Sequence, residues 1–271
     1  TPKPSSAASD VYKRQVQDEL RRCISEGFEG FELYFQPIYN TDDDSLSGAE
    51  ALIRWNSRKY GFIGPNTFIP LLEDSALIIP LGRWIINTAA KACNRWITSI
   101  PDFVMHINLS FVQIVKSNIV KDVLENIERY SAANNHYVFE ITETIEMDQI
   151  PAVQNVFKEF VKNEFRFAID DFGTGYSNYG YMRDRTFDIV KVDRSFVTDI
   201  DKLKDNYLMV SFIIKMAHEM GLHVCIEGVE TKEELSCVKK LGADYIQGYY
   251  YGKPVCLQDF EEQHLKRFVL G

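Results

Sequence analysis

Hydrophobic and polar positions follow two periods along this chain, one of two residues and one of about 3.6. The two-residue period predicts a strand over 31–39, a second from Gly48, and six apolar strands that end at Asn108, Glu140, Asp170, Asp193, Glu227 and Gln247. The longer period predicts amphipathic helices, including one over 11–26 and one over 111–132. Successive strand ends lie about 20 to 34 residues apart, the spacing of strand–helix units.

The first two strands are expected to pair antiparallel, because residues 40–47 are too few for a parallel crossover of a dozen or more residues. Together with the six later strands they predict a TIM-like (β/α)8 barrel whose first strand is antiparallel. In such a barrel the carboxyl ends of the parallel strands converge on one rim. An open doubly wound sheet is the alternative, but it does not naturally focus six polar strand ends on one point.

Composition narrows the class of protein. The chain has 271 residues, 45% of them hydrophobic, and a net charge of −9, which argues against a surface that tracks the phosphates of a nucleic acid polymer. No apolar run approaches the roughly 20 residues of a membrane span, and no signal peptide is visible, so no membrane contact is expected. Five scattered cysteines without metal or disulfide spacing favour a reducing cytoplasm.

Domain organisation is expected to be simple. Residues 1–10 are rich in Ser, Ala and Pro without hydrophobic periodicity, so they are expected to form a disordered tail outside the fold. Residues 11–271 are then one domain, a size that one hydrophobic core can support.

Two consecutive carboxylates, Asp170 and Asp171, end one predicted strand and enter a glycine-rich turn. Side chains alternate faces along a strand, but Gly173 and Gly175 favour a bend that brings both carboxylates together. Two acids in one place repel each other unless they are protonated or bound to cations. The pair is therefore either a metal site or an exposed pair of turn acids.

Further acids occupy the ends of other strands among apolar neighbours, where a carboxylate is costly unless a cation or hydrogen bonds offset it. An all-oxygen set of this kind suits Mg²⁺ or Mn²⁺, and its members are Glu50, Asn108, Glu140, Asp170 and Asp171. For any single acid, a helix cap or a bond to a surface lysine is the alternative.

Other polar residues on the same strand faces have two interpretations each. Lys191 shares a face with Asp193 and would either orient or deprotonate a water molecule or form an internal ion pair. Arg54 would bind a phosphate or neutralise Glu50, and Gln247 would contact substrate or cap its strand. His106 and His223 are expected to be hydrogen-bonded core residues.

Eight motifs occur in the order seen in one known family. They are AEALIRW from 49, FIPLLEDSALI from 68, INLS from 107, FEITET from 139, IDDFGTGYS from 169, KVDRSFV from 191, IEGVET from 226 and DYIQGYYYGKP from 244. In these motifs the chain, from about Tyr34 to Pro254, resembles the EAL domain family of cyclic di-GMP phosphodiesterases. The resemblance implies a barrel with a reversed first strand and the hydrolysis of cyclic di-GMP to linear pGpG.

The resemblance also implies roles for individual residues. Glu50, Asn108, Glu140 and Asp170 resemble the ligands of one Mg²⁺ or Mn²⁺ ion, and Asp170 would bridge to a second ion held with Asp171 and Glu227. Lys191 and Asp193 resemble the residues that order the attacking water, and Glu227 is a further candidate base. Glu143 resembles the glutamate that anchors the DDFG loop. The implied substrate contacts are Gln36, Arg54 and Gln247.

Partners are implied in the same way. Members of the family form homodimers through the region near 171–185, and many adjoin sensory or cyclase-like domains. Two rival functions stay open: a catalytically silent receptor for cyclic di-GMP, and an enolase-type barrel that abstracts a proton with a lysine and one metal ion. No proposed metal ligand is missing from the sequence, which favours an active phosphodiesterase.

Overall fold

The computed structural model describes residues 6–142, 151–174 and 186–266, and its centre is a closed barrel of eight strands. The barrel strands are β1 (Phe31–Asn40), β2 (Leu46–Ser57), β4 (Val104–Asn108), β5 (Tyr137–Thr142), β6 (Arg166–Phe172), β7 (Ile189–Val192), β8 (His223–Glu227) and β9 (Tyr245–Gln247). Two short strands, β3 (Gly61–Ile63) and β10 (Val255–Cys256), extend β2 and β1 outside the barrel.

Strand pairing confirms the predicted barrel. β1 runs antiparallel to both of its barrel neighbours, β2 and β9, while every other neighbouring pair around the barrel is parallel. The turn between β1 and β2 contains only the few residues from Thr41 to Ser45, so it reverses the chain as expected. The carboxyl ends of seven strands therefore meet at one rim, called here the carboxyl rim.

The helices surround the barrel. They are α1 (Ser6–Ser25), α2 (Pro65–Asp74), α3 (Ile78–Trp96), α4 (Phe111–Lys116), α5 (Ile119–Ile127), α6 (Pro151–Lys162), α7 (Lys204–Glu219), α8 (Lys232–Leu241) and α9 (Leu257–Phe260). The single helix expected over 111–132 is two helices, because Ser117 is extended and Asn118 caps α5 by accepting the backbone N–H of Lys121. α1 begins at Ser6 and so includes the last part of the predicted tail; residues 1–5 lie outside the described residues.

The hydrophobic core has two layers. The larger layer lies between strands and helices and contains stacked aromatic rings, such as Trp96 and Phe260, whose centroids are 4.6 Å apart. The smaller layer fills the barrel itself with Ile38, Val138, Ala168, Ile189 and Cys225, called here the inner layer. None of the helices in the described ranges is long and apolar enough to cross a membrane.

Candidate metal and active site

Four carboxylates surround one lysine at the carboxyl rim. Lys191 is fully buried, and its Nζ lies 2.7 Å from Glu227 Oε1, 2.8 Å from Glu140 Oε2, 3.2 Å from Asp170 Oδ1 and 3.3 Å from Glu50 Oε2. An ammonium carries one charge and three hydrogens, so it neutralises only part of this group. We call these five residues the rim cluster.

Strand alternation explains why these side chains meet. The four members on β5, β6, β7 and β8 each lie two residues beyond a member of the inner layer, namely Val138, Ala168, Ile189 and Cys225. Residues two apart on a strand share a face, so each strand turns its last inward position toward the barrel axis. Glu50 reaches the same level from β2, two residues after Gly48.

Amide side chains hold Glu50 in place. Asn108 Nδ2 donates to Glu50 Oε1 at 2.7 Å, and Gln247 Nε2 donates to Glu50 Oε2 at 2.6 Å. The same Gln247 nitrogen lies 3.1 Å from Gln36 Oε1, and Gln36 stands directly opposite Glu50 in the β1–β2 pairing. Gln36, Asn108 and Gln247, which were predicted separately as substrate contacts and a metal ligand, are therefore collected around one carboxylate.

The pKa differs sharply among the carboxylates of the rim cluster. Burial opposes ionisation of Glu50, but Lys191 and the amides of Gln247 and Asn108 outweigh it, so the pKa of Glu50 falls to about 2. Burial, helped by the charge of Asp170, raises the pKa of Glu227 to about 8 despite Lys191. Carboxyl groups of one cluster thus carry very different proton affinities, as expected where several negative charges share one cation.

Burial and neighbouring charges also shift the pKa values of Glu140, Lys191 and His106. Burial and the charge of Glu50 raise the pKa of Glu140 well above its ordinary value. Burial disfavours the ammonium of Lys191, yet the carboxylates around it hold its pKa well above the ordinary range. His106 is buried, and its Nδ1 shares a hydrogen bond of 2.8 Å with Glu140 Oε1. Burial and the charge of Lys191 lower the pKa of His106 to about 3, so its ring is neutral. The expectation of a hydrogen-bonded core histidine is confirmed for this residue.

The strand carrying the acid pair bends at Asp171 itself. Asp171 adopts a φ of 53°, in the left-handed region, and the β6–β7 register shifts between Ile169 and Phe172. Carboxylate oxygens of Asp170, Asp171 and Glu227 consequently lie within 4.8 Å of one another. The bend was predicted at the following glycines, of which Gly173 has a φ of 98° and Gly175 lies outside the described residues.

The donors present fit divalent cations that prefer oxygen. Asp170 Oδ1 is buried and lies at ion-pair distance from Lys191 but without hydrogen-bond geometry, so it retains an open lone pair. Burial and the charge of Asp170 raise the pKa of Asp171 to about 6, which shows that these two acids repel each other. Mg²⁺ and Mn²⁺ favour carboxylate and amide oxygens of this kind.

Two clefts open on either side of the rim cluster. The larger, of about 620 Å³, is bordered by Glu50, Asn108, Glu140 and Asp170, together with apolar residues that include Phe111. The smaller, of about 250 Å³, also reaches Glu50 and Asp170 and continues along Asp193, Glu227 and Tyr249. The carboxylates thus form the shared floor of a divided groove.

Arg54 and Asp193 lie at the border of this groove rather than in the cluster. Arg54 Nη1 donates to the carbonyl of Ile53 at 2.9 Å, and its guanidinium lies over the ring of Tyr34 at 5.6 Å. No ion pair within 4 Å joins Arg54 to Glu50 in the described parts of the chain. Burial lowers the pKa of Arg54, and the charge of Glu50 opposes this effect, so both interpretations of Arg54 stay open. Asp193 accepts the N–H of Ser195 at 2.9 Å and caps a short 3₁₀ helix.

Several site residues escaped the sequence prediction, and one prediction was wrong. Tyr34, beneath Arg54, shares a strand face with Gln36, a spacing that could have revealed it. Arg194, which lines the smaller cleft, had no such signal because it lies beyond its strand. His223 is not a core histidine, since its exposed ring bonds to Asp244 at the opposite end of the barrel. Glu143 lies outside the described residues.

Comparison with known proteins agrees with this site. The family model of the EAL domain matches residues 17–254, so the chain belongs to the EAL domain family. Two relatives from Escherichia coli K12 are 32% identical to it: the probable cyclic di-GMP phosphodiesterase PdeG, over 90% of this chain and 48% of its own length, and the cyclic di-GMP phosphodiesterase PdeL, over 90% and 67%.

A solved structure of the same family has a similar fold. The EAL enzyme Bd1971, in a form bound to cAMP and cyclic di-GMP, superposes with a TM-score of 0.87 at 33% identity, covering 94% of this chain and 69% of that one. The chain spans only 29% to 48% of the length of several curated relatives that it matches over at least 90% of its own length.

Proposed function

We propose that this chain hydrolyses cyclic di-GMP to linear pGpG with two Mg²⁺ or Mn²⁺ ions. The observation that carries the proposal is the rim cluster, in which three buried carboxylates and the partly buried carboxylate of Glu227 share a single ammonium. Such an excess of negative charge would repel a phosphodiester unless cations were bound. Membership of a family whose named relatives are cyclic di-GMP phosphodiesterases supports the same substrate.

The ligands divide into two groups. Glu50, Asn108, Glu140 and Asp170 would hold one ion, while Asp170 would share the second with Asp171 and Glu227, whose oxygens already lie close together. When bound, a pair of such ions activates water and stabilises the attacking and leaving oxygens of an in-line displacement.

The chain's own residues supply orientation and proton transfer. Lys191 holds Glu140 and Glu227 in position through contacts of 2.8 and 2.7 Å. Asp193, fixed by its bond to Ser195, faces the smaller cleft, where its carboxylate would orient the attacking water together with Lys191. Glu227, which contacts Lys191 and also lines the smaller cleft, would serve as the further candidate base. The reaction adds one water across one P–O bond, and the proton passes to the leaving oxygen.

The groove suits a ligand with two similar halves. Cyclic di-GMP carries a base on each side of its phosphodiester ring, and the clefts of about 620 and 250 Å³ lie on each side of the rim cluster. Arg54, half-buried over Tyr34 and free of a carboxylate partner in the described ranges, would bind a phosphate oxygen. Gln36 and Gln247 would contact the substrate from the same side as Glu50.

Chromatography of cyclic di-GMP after incubation with the chain tests this function. We expect pGpG to form with Mg²⁺ or Mn²⁺, no product with EDTA, and a loss of at least about a hundredfold in rate for Glu50→Gln, since a metal ligand is removed. Exposed Glu125→Gln is the matched control. Unchanged substrate after prolonged incubation with either metal, combined with tight binding, would establish the silent receptor instead. A site that binds one metal and leaves the nucleotide unbound would favour the enolase-type alternative.

We also propose that the chain forms a homodimer and that α7 contributes to the contact. Four large apolar side chains stand exposed on α7 or just before it: Leu203 at 50%, Leu208 at 53%, Met209 at 47% and Phe212 at 58%. An apolar surface of this kind marks a protein contact. The 171–185 region implied by family resemblance is described only at 171–174. We propose further that this domain adjoins sensory or cyclase-like domains and that it lies in the cytoplasm.

Light scattering tests the dimer. We expect the wild-type chain to elute as a dimer and Phe212→Glu to elute as a monomer, since a charge would enter the apolar contact. Val161→Glu, which places the same charge at an exposed apolar position of α6, should leave the dimer intact. A wild-type monomer at high protein concentration would exclude the dimer.

A further inference from the structure

A second cavity, of about 660 Å³, opens at the opposite end of the barrel from the rim cluster. Inward-facing positions of several strands and of the loop before β5 line it, including Asn40, Val104, His136, Arg166 and Tyr245. We infer that this cavity, called here the lower mouth, binds a small organic monoanion: one carboxylate attached to an apolar or aromatic body. The inference is independent of the proposed function.

Arg166 is the feature that points to an anion. Its Nη2 donates to the backbone carbonyl of Asn135 at 2.8 Å, while its Nε is buried and has no hydrogen-bond partner. No carboxylate lies within 4 Å of its guanidinium in the described parts of the chain. A partly buried guanidinium offers five N–H donors in a fork that matches a carboxylate, so its remaining donors lack a natural partner.

The nearby acids are already engaged. Asp188 accepts the backbone N–H of Phe167 through Oδ2 at 3.0 Å. Asp244 accepts from the backbone N–H of Val224 at 2.7 Å and lies 2.8 Å from His218 Nε2. Neither acid lies within ion-pair distance of Arg166, although the charge of Arg166 partly offsets the rise that burial causes in the pKa of Asp188. No carboxylate in the described parts of the chain therefore contacts the guanidinium directly.

The walls and the border of the lower mouth restrict the ligand. Leu46, Ile100, Val104 and the ring of Tyr245 supply apolar surface, which favours a ligand with an apolar body. Two exposed acids, Asp43 and Asp102, also line the cavity, and Asp43 accepts the backbone N–H of Ser45 at 2.9 Å. Together they would repel a polyanion such as a nucleic acid or an anionic membrane surface. One negative charge next to an apolar group satisfies both conditions.

The lower mouth is separate from the rim cluster. The inner layer, in which Val138, Ala168 and Cys225 are fully buried, fills the barrel between the two ends. Arg166 and Asp170 lie on the same face of β6 at opposite ends of this layer, four residues apart. A ligand of the lower mouth therefore does not compete with a ligand of the rim cluster for space.

Titration calorimetry of the whole chain in EDTA tests the inference, with benzoate, inorganic phosphate and benzyl alcohol as probes. Benzoate carries both features, phosphate only the charge and benzyl alcohol only the apolar body. We expect benzoate to bind at least about tenfold more tightly than either of the others. Equal affinity for phosphate or for benzyl alcohol would overturn the assigned ligand class, and absence of benzoate binding at millimolar concentration would overturn the site.

Variants locate the binding. Arg166→Gln should weaken benzoate binding at least about tenfold, while Arg129→Gln, an equal loss of charge at an exposed position outside the cavity, should not change it. Ser47→Trp places a large ring in the cavity without touching a charge, and it should also abolish binding. Circular dichroism checks that each variant is folded. Benzoate affinity that is unchanged in Ser47→Trp would place the ligand elsewhere and refute the proposal.

Discussion

At the residue scale, Lys191 is the centre of the electrostatics. Its ammonium lies within 3.3 Å of all four carboxylates of the rim cluster, and those carboxylates repel one another without it. The raised pKa of Lys191 means that its stabilisation is fully present below about pH 10.5 and is lost only as pH rises through its higher folded value. Neutral pH is therefore inside the window in which this residue stabilises the fold.

Removing the ammonium should destabilise the metal-free chain. We expect Lys191→Met to lower the free energy of unfolding by about 3–5 kcal/mol at pH 8, because it leaves buried carboxylates without a counter-charge. The loss should shrink at pH 5, where more of these carboxyl groups are protonated. Urea unfolding at both pH values measures the difference. Exposed Lys91→Met is the control, and an equal loss in both variants would contradict the assigned role.

Asp244 governs acid stability at the other end of the barrel. Despite opposing burial, hydrogen bonds from His223, His218 and the Val224 N–H lower the pKa of Asp244 to about 2 from an ordinary 3.8. A depressed acid pKa contributes stability above the unfolded value, and this contribution disappears as pH falls through the folded one. This shift in the pKa of Asp244 corresponds to about 2 kcal/mol of unfolding free energy.

We expect Asp244→Asn to lower the free energy of unfolding by about 2 kcal/mol at pH 5, and the gap from wild type to close between pH 4 and pH 2. Chemical denaturation across this range provides the measurement. Asp42→Asn, at an exposed acid of the β1–β2 turn, serves as the control. A gap that stayed constant down to pH 2 would show that the hydrogen bonds do not depend on the charge of Asp244.

At the element scale, β2 and β4 approach each other most closely at Gly48. A Cβ added at Gly48 would overlap the backbone carbonyl oxygen of Val104, and backbone cannot move aside as a side chain can. This close approach places Glu50, two residues further along, at the level of the other carboxylates. The absence of a side chain at Gly48 thus fixes the position of the Glu50 carboxylate, at the next inward position of the strand.

We predict that Gly48→Ala lowers the free energy of unfolding by about 1–3 kcal/mol, because the added methyl separates two paired strands. Thermal unfolding measures this loss. Gly64→Ala, where an added Cβ meets nothing within 4 Å, should cost less than about 1 kcal/mol. Equal effects at the two glycines would refute the argument from close packing.

The elements also show what a sequence can and cannot specify. The two-residue period correctly predicted that Glu140, Asp170 and Lys191 share the barrel interior, because alternation is a property of any strand. It could not place the bend at Asp171, since a left-handed backbone at an aspartate depends on tertiary contacts rather than on its own preference. Nor could it indicate that Arg166 lacks a counter-ion, because that depends on where distant acids bond.

At the scale of the whole molecule, metal binding should be visible as stability. Ions that bind only the folded chain raise its unfolding free energy, by about 2.7 kcal/mol at a hundredfold excess over the dissociation constant. We expect Mn²⁺ to raise the melting temperature of the wild type, and to raise that of Asp171→Asn by a smaller amount, because this variant loses a ligand of only one of the two proposed ions.

The same variant should melt higher than the wild type in EDTA. Repulsion and burial raise the pKa of Asp171 to about 6, so its ionised form opposes folding at neutral pH. Scanning calorimetry with and without metal distinguishes the two effects. A variant that is less stable than wild type in EDTA yet still responds fully to Mn²⁺ would contradict the placement of Asp171 among the ligands.

The reversed first strand determines where the chain enters the barrel. Phe31, the first residue of β1, pairs with Trp55 near the end of β2, so the connection from α1 arrives beside the carboxyl rim instead of at the lower mouth. Glu19 of α1 also accepts a hydrogen bond from Ser57, directly beyond the same rim. A mechanical displacement of α1 would therefore act directly on β1 and β2, the two strands that carry Gln36 and Glu50.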